Sequence, residues 1–113
     1  MLINMTPHAV NIIAEDGAVT VPPSGVVPRV TWDRRGCGTM AVEGIEVPVT
    51  AYSGDPHVDP PLPDEQEGVL LLVARVVAEA VPGRGDLVVP DGLVRDEAGR
   101  VVGCRALGRV GRA

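Results

Sequence analysis

The chain has 113 residues, a length that supports one small domain with one hydrophobic core. Its formal net charge of -5 disfavours binding to bulk DNA or RNA. Hydrophobic residues make up 45% of the chain, but one Trp, one Tyr and no Phe leave little surface on which a nucleobase could stack.

The first half of the chain has the pattern of short β-strands separated by turns. Apolar stretches at 1–5 and 9–14 flank a break at Thr6-Pro7, where we expect Thr6 or His8 to bond the neighbouring backbone. A turn at 15–17 leads into AVTVPP and predicts a β-hairpin, and TMAVEGIEVPVTAY predicts another, turned near 43–44. We expect these strands, together with SGVVPRVTW, to form an antiparallel meander.

The second half is predicted to contain one helix. Residues 53–68 are rich in proline and acidic residues, which favours a surface loop or a disordered segment. VLLLVARVVAEAV is compatible with one continuous helix, but we favour a strand at 69–73 and a helix at 74–81, ended by Pro82-Gly83. DLVVP predicts a strand, and LVRDEAGRVVGCRAL a hairpin turned at 96–99. The predicted fold is α+β, a single domain over 1–113 with an antiparallel meander, one packed helix and a C-terminal hairpin.

No motif in the chain is typical of an enzyme. The two histidines and two cysteines have no metal-ligand spacing, and neither a G-x-S-x-G elbow nor a glycine-rich phosphate loop is present. We therefore expect no catalytic residues, no metal and no cofactor. The amino terminus lacks the features of a secretory leader, and the longest apolar run is too short to span a bilayer. These features favour a cytoplasmic protein without membrane contact, in which Cys37 and Cys104 are reduced thiols rather than a disulfide.

Positive charge is concentrated in the last third of the chain. Residues 1–74 contain three arginines and ten acidic residues, whereas 75–113 contain seven arginines and five acidic residues. The tail GCRALGRVGRA holds Arg105, Arg109 and Arg112, and either an extended or a helical tail puts the first two on one face. Because like charges repel, this arrangement indicates either an anion between the two guanidinium groups or an exposed, frayed terminus.

Two further segments have both a local and a ligand-binding interpretation. PPSG is typical of a turn, but Ser24 and the Gly25 amide could also donate to a phosphate, with Arg29 nearby. In RGD, a local ion pair between Arg84 and Asp86 is favoured over an integrin-ligand motif, and Arg84 is also kept among the candidate ligand contacts.

Four segments in order resemble one known family. NMTPHAV, PPSGVVPRV, VPGRGDLVVPD and RDEAGRVVGCRALGR are similar to segments of the small phage proteins of the Thoeris anti-defense protein 1 type. The resemblance implies a non-enzymatic sponge in the bacterial host cytoplasm that sequesters glyco-cyclic ADP-ribose, the messenger of an immune TIR-domain protein. It also implies homo-oligomers, either a dimer or a hexameric trimer of dimers, and separate sites for cyclic trinucleotides in some members.

The resemblance also assigns site residues. The arginine pair of the family falls on Arg105 and Arg109, which would hold the pyrophosphate of the messenger. Two further positions fall on Val81 and Asp91, where the family pattern leads us to expect an aromatic side chain and a neutral amide. Val81 would give the base only apolar contact, and Asp91 would accept from a ribose hydroxyl or the adenine amine but repel phosphate. For a cyclic trinucleotide, Arg29 with Ser24 and Gly25 is the expected site. The alternatives are an enzyme that degrades the messenger and a protein-interaction module that inhibits a host immune protein directly.

Overall fold

The computed structural model describes residues 1–110, which form eight β-strands and one short α-helix. The elements in chain order are β1 (Leu2–Asn4), β2 (Val10–Ala14), β3 (Gly17–Val21), β4 (Arg29–Val42), β5 (Ile45–Asp59), β6 (Leu70–Leu72), α1 (Arg75–Ala80), β7 (Leu87–Arg95) and β8 (Val101–Gly108). The α+β fold class is confirmed.

Six strands form one mixed sheet, in the order β1-β6-β7-β8-β2-β3. The prediction of an antiparallel meander is therefore wrong. β1 runs parallel to β6, β6 parallel to β7, and β2 parallel to β8, so strands from opposite ends of the chain are neighbours. β3 ends the sheet and does not pair with β4, which belongs to a separate two-stranded sheet with β5. The physical reason is that β6 and the first half of β7 are apolar segments buried on both faces, a pattern that suits a parallel arrangement.

The local hairpins lie where the sequence predicts them. β2 and β3 pair antiparallel around the turn that ends at Gly17, where φ is +140°. β7 and β8 form the predicted C-terminal hairpin, and the Asp96 carboxylate accepts the backbone N–H groups of Ala98 and Arg100 inside its turn. An aspartate at this position stabilises a turn because its side chain bonds the backbone a few residues further on.

The strand-then-helix interpretation of VLLLVARVVAEAV is also confirmed, by β6 and α1. The helix packs Val77 and Ala78 against the sheet, and Leu71, Leu87 and Val89 cover them from β6 and β7. Each of these five side chains is buried. This cluster is the core of the domain and fixes the loop that follows the helix.

The β4–β5 hairpin extends away from this core. Every residue from 31 to 48 is exposed, and the radius of gyration is 17.9 Å, compared with about 13 Å for a compact domain of this length. At its base, Val30 and Val58 pack against the core cluster. The prediction of a loop over 53–68 is wrong for its first part, since β5 continues to Asp59. Pro56 does not prevent this, because a two-stranded sheet consists only of edge strands, where proline is tolerated.

A buried asparagine organises the turn at Thr6-Pro7. The Asn4 side chain, 1% exposed, donates to the carbonyl groups of His8 and Val21 at 2.9 and 3.0 Å. Its Oδ1 accepts from the Thr6 backbone N–H at 2.9 Å and from the Thr6 hydroxyl at 2.6 Å. The Thr6 hydroxyl also lies 3.0 Å from the His8 carbonyl, so the predicted local bonding of this turn is confirmed.

Candidate anion-binding site

A small cavity lies where the C-terminal end of the helix meets the end of β8. Its volume is about 160 Å³, and its walls come from the helix, the loop after it and the residues that follow β8. The lining residues are Ala78, Pro82, Gly83, Arg84, Gly85, Leu87, Arg109 and Val110. The fold thus brings together Arg84 and Arg109, two of the predicted ligand contacts, from positions far apart in the sequence.

Arg84 forms the ion pair that the RGD segment predicts. Its Nε and Nη2 donate to the two carboxylate oxygens of Asp86 at 2.9 and 2.8 Å. Nη2 also donates to the Pro63 carbonyl at 2.7 Å, and Glu65 Oε1 lies 3.4 Å from Nε. The Arg84 and Asp86 side chains are 18% and 8% exposed. Because most of its donors are engaged, Arg84 shapes the cavity wall more than it supplies free positive charge.

The pair shifts both pKa values away from their ordinary ranges. The hydrogen bonds from Arg84 lower the pKa of the Asp86 carboxyl, and this effect outweighs the burial that opposes it. The same hydrogen bonds raise the pKa of Arg84. Both groups are therefore charged at neutral pH and largely cancel each other, while Glu65 and Asp64 add negative charge beside Arg84.

Arg109 is the second arginine that lines the cavity. It is exposed, follows directly after β8, and its Nη1 donates to the Gly85 carbonyl across the cavity. Within residues 1–110, Arg109 forms no ion pair with a carboxylate. A single hydrogen bond to a neutral carbonyl leaves other guanidinium donors available to an anion.

Arg105 lies four residues earlier, inside β8, and is also exposed. The tail is therefore extended up to Gly108. Of the two predicted conformations of the tail, extended or helical, the structure has the extended one. Four residues of strand span about 13 Å along the backbone. Arg105 is not among the residues that line the cavity at Arg109, so the structure does not bring this predicted pair together around one cavity. Arg112 lies outside the described residues.

Asp91 and Val81 have different surroundings from those that the family resemblance implies. Asp91 pairs with Ala106, so the alternation of β8 puts it on the opposite face of the sheet from Arg105. The Asp91 side chain lies beside Gly108. Val81 ends the helix and is half-buried against the core cluster, where it supports the packing of the helix. Within one protomer, therefore, Asp91 and Val81 are not placed to contact the same ligand as the Arg105 side chain.

The Ser24-Gly25 turn is separate from this cavity. The Ser24 hydroxyl accepts from the Val26 N–H at 3.3 Å, and the Ser24 N–H donates to the Asn4 carbonyl at 2.8 Å. Gly25 has a φ of +95°, which favours glycine, and Arg29 follows as the first residue of β4. The structure therefore contains the local turn, and Arg29 lies opposite Asp59 in the hairpin.

Composition led us to expect little stacking surface, yet both aromatic residues lie together. Trp32 and Tyr52 line one cavity of about 450 Å³ with Val30, Thr31 and Arg34, at the base of the β4–β5 hairpin. The signal in the sequence was the alternation of Trp32 and Arg34 on one strand, but Tyr52 joins them only through the hairpin register.

The other groups of chemical interest are isolated. Cys37 is exposed and Cys104 is buried, and both are free. Among residues 1–110, no group of three His, Cys, Asp or Glu side chains could hold a metal ion. No helix in this part of the chain is long and apolar enough to cross a membrane. Neither a family model, nor a curated protein, nor a solved structure matches the sequence or the fold.

Proposed function

We propose that this protein is a sponge that binds a cyclic ADP-ribose-type messenger, glyco-cyclic ADP-ribose, without turnover. The observation that supports the proposal most directly is Arg109, which lines a cavity together with Arg84 and forms no ion pair with a carboxylate of residues 1–110. Arg105, an exposed residue of β8 four positions before Arg109, is the second cation that we assign to the diphosphate. A guanidinium binds phosphate oxygens bidentately, which gives both charge and directional selectivity.

The size of the cavity has a consequence for assembly. Its volume of about 160 Å³ is smaller than the roughly 300 to 1,000 Å³ of most small-molecule sites. One protomer would hold the diphosphate, and a second copy would cover the base and the ribose. The proposal therefore includes a homodimer as the smallest functional unit, with a trimer of dimers as the larger assembly. This arrangement would also explain how Asp91, on the other face of the sheet, could contact a ligand that another copy holds.

Calorimetry with glyco-cyclic ADP-ribose tests the proposal. We expect saturable binding by the full chain and at least about a ten-fold loss of affinity for Arg109→Ala, because a hydrogen bond to a charged group contributes about 1.5–3 kcal/mol. Combining it with Arg105→Ala should weaken binding further. Arg100→Ala is the matched control, since Arg100 is 80% exposed on the turn between β7 and β8. The proposal would be refuted if the wild type did not bind the messenger, or if the variant with both Arg105→Ala and Arg109→Ala bound it as tightly as the wild type.

Heating the complex separates the sponge from an enzyme that degrades the messenger. A sponge releases the intact messenger when it is denatured, whereas an enzyme releases a hydrolysed product, and the two differ in mass. Expression of the protein beside an active TIR enzyme, followed by mass spectrometry of the released small molecules, applies this test to the ligand formed in the cell.

A second candidate function is a protein-interaction module that inhibits a host immune protein directly. The exposed far end of the β4–β5 hairpin favours it, because Met40, Val42, Ile45 and Val47 present apolar side chains there. Copurification of one host protein in fixed stoichiometry and without a nucleotide would support this function over the sponge.

A further inference from the structure

The only two aromatic residues of the chain lie on one face of the β4–β5 hairpin. Trp32 and Arg34 are two residues apart on β4 and line the same cavity. Tyr52 on β5 lies directly opposite Arg34 in the register, which places its ring on that side as well. Between Thr31 and Asp33 the register shifts, and this irregularity twists the hairpin next to Trp32. We call Trp32, Arg34 and Tyr52 the aromatic platform.

Both rings of the aromatic platform are accessible. The exposed fractions are 38% for Trp32 and 64% for Tyr52. Large aromatic side chains gain most when both faces are covered, so two of them exposed on one face indicate a surface that another group covers. The exposed residues Leu93, Val101 and Val102 also share a cavity, of about 350 Å³, but it has no aromatic ring in its lining.

A cation is already in place on the aromatic platform. The Arg34 guanidinium carbon lies 5.6 Å from the centre of the Tyr52 ring, within the range of a cation–π contact. Within the part of the chain that the structure describes, Arg34 forms no ion pair with a carboxylate. The ring restrains the guanidinium but occupies none of its N–H donors, which remain free for an anion.

Size and charge together define the ligand. The cavity over the platform is about 450 Å³, within the usual range of sites for small molecules. Its single lining cation, Arg34, matches one anionic group, and the rings match one planar aromatic system. A long polyanion would need several cations in a row, and it would be repelled by a chain of net charge -5.

We propose that the aromatic platform binds a mononucleotide-sized aromatic anion, with its base stacked on Trp32 and Tyr52 and its phosphate on Arg34. This site is separate from the cavity at Arg109 and uses none of its residues. It also differs from the Ser24-Gly25 turn with Arg29, because Arg34 supplies the cation and the two rings supply the contact area.

Trp32 is the only tryptophan, so its fluorescence reports this site directly in the full chain. Adenosine monophosphate is the probe. We expect saturable quenching of Trp32 emission, with adenosine binding at least several-fold more weakly and inorganic phosphate alone causing no quenching. Arg34→Gln should raise the dissociation constant about ten-fold. Tyr52→Ala should raise it to a similar degree, while Tyr52→Phe keeps the ring and should bind as the wild type does.

Arg75→Ala is the matched control, because Arg75 is also an exposed arginine but pairs with Glu79 on the helix. It should leave the quenching curve unchanged, and circular dichroism of each variant confirms that the fold is retained. Equal quenching by adenosine and by its monophosphate, or no effect of Arg34→Gln, overturns the assignment. Emission that shifts with protein concentration and ignores the nucleotide also overturns it, and identifies a second copy as the occupant. Preference for an oligonucleotide over the mononucleotide overturns it in favour of single-stranded nucleic acid.

The two proposals fail independently of each other. Arg109→Ala should weaken the binding of the messenger that calorimetry measures by at least about ten-fold and leave Trp32 quenching by the monophosphate unchanged. Arg34→Gln should do the reverse. If both variants weaken both signals, the two sites are not separate and the platform assignment is refuted.

Discussion

Replacing Asp86 with asparagine removes the charge that holds Arg84, and we expect the free energy of unfolding to fall by about 2–3 kcal/mol at neutral pH. The wild-type carboxylate accepts two hydrogen bonds, at 2.9 and 2.8 Å, from a guanidinium that is 18% exposed. Breaking a fully buried ion pair costs about 3–5 kcal/mol. The cost here is smaller, because Arg84 keeps the Pro63 carbonyl and the nearby Glu65.

The pH dependence of this difference distinguishes an ion pair from a packing effect. Because the pKa of Asp86 is lowered in the folded state, its contribution to stability is present above its ordinary pKa and is lost as the pH falls through the folded value. The gap between wild type and Asp86→Asn should therefore be largest at neutral pH and shrink below about pH 4.

Urea unfolding followed by circular dichroism measures, at each pH, the difference in free energy of unfolding between the wild type and Asp86→Asn. In thermal unfolding at neutral pH, the melting temperature of Asp86→Asn should be about 8–12 °C lower than that of the wild type. Glu79→Gln is the matched control, because it breaks the exposed pair with Arg75, and it should change stability by less than about 0.5 kcal/mol. A gap that stays constant between pH 7 and pH 3 would refute the electrostatic argument, and so would an Asp86→Asn variant as stable as the wild type.

Three further predictions concern the fold and the assembly. Asn4→Ala should lower the free energy of unfolding by about 2–3 kcal/mol, because it removes the hydrogen bonds of the buried Asn4 side chain with Thr6, His8 and Val21; a loss below about 0.5 kcal/mol in urea unfolding would contradict this role. Gly103→Ala places a Cβ 2.9 Å from Ile13 Cδ1 where β8 meets β2, and should cost about 1–3 kcal/mol by the same measurement. Ile45→Lys should shift the mass measured by light scattering toward the monomer if the hairpin end is an interface, whereas the same change at the exposed Val19 on β3 should not.

Local structure could be predicted because its signals are contiguous in the sequence. The turn at Asp96 to Gly99 combines a side chain that bonds backbone with a glycine at positive φ, and the structure has the hairpin at that place. The division of VLLLVARVVAEAV into strand and helix followed from β-branched residues at its front and alanines at its back, and it is also present. The Arg84–Asp86 ion pair could also be predicted, because its two residues are only two positions apart in the sequence.

Tertiary structure decided what depends on partners distant in the chain. The placement of β1 beside β6 and of β2 beside β8 is set by which apolar faces can be buried together, and no short pattern specifies that choice. The same limit applies to both candidate sites. Arg109 meets the loop at Gly85 only because β8 ends beside the start of β7. Tyr52 joins Trp32 and Arg34 only through the register of a hairpin.

By itself the sequence determined the turns, the helix, the ion pair and the concentration of arginine in the last third. Which of those arginines face a cavity or an aromatic ring was decided by packing, because burial of apolar surface is non-directional and is satisfied by the whole fold at once.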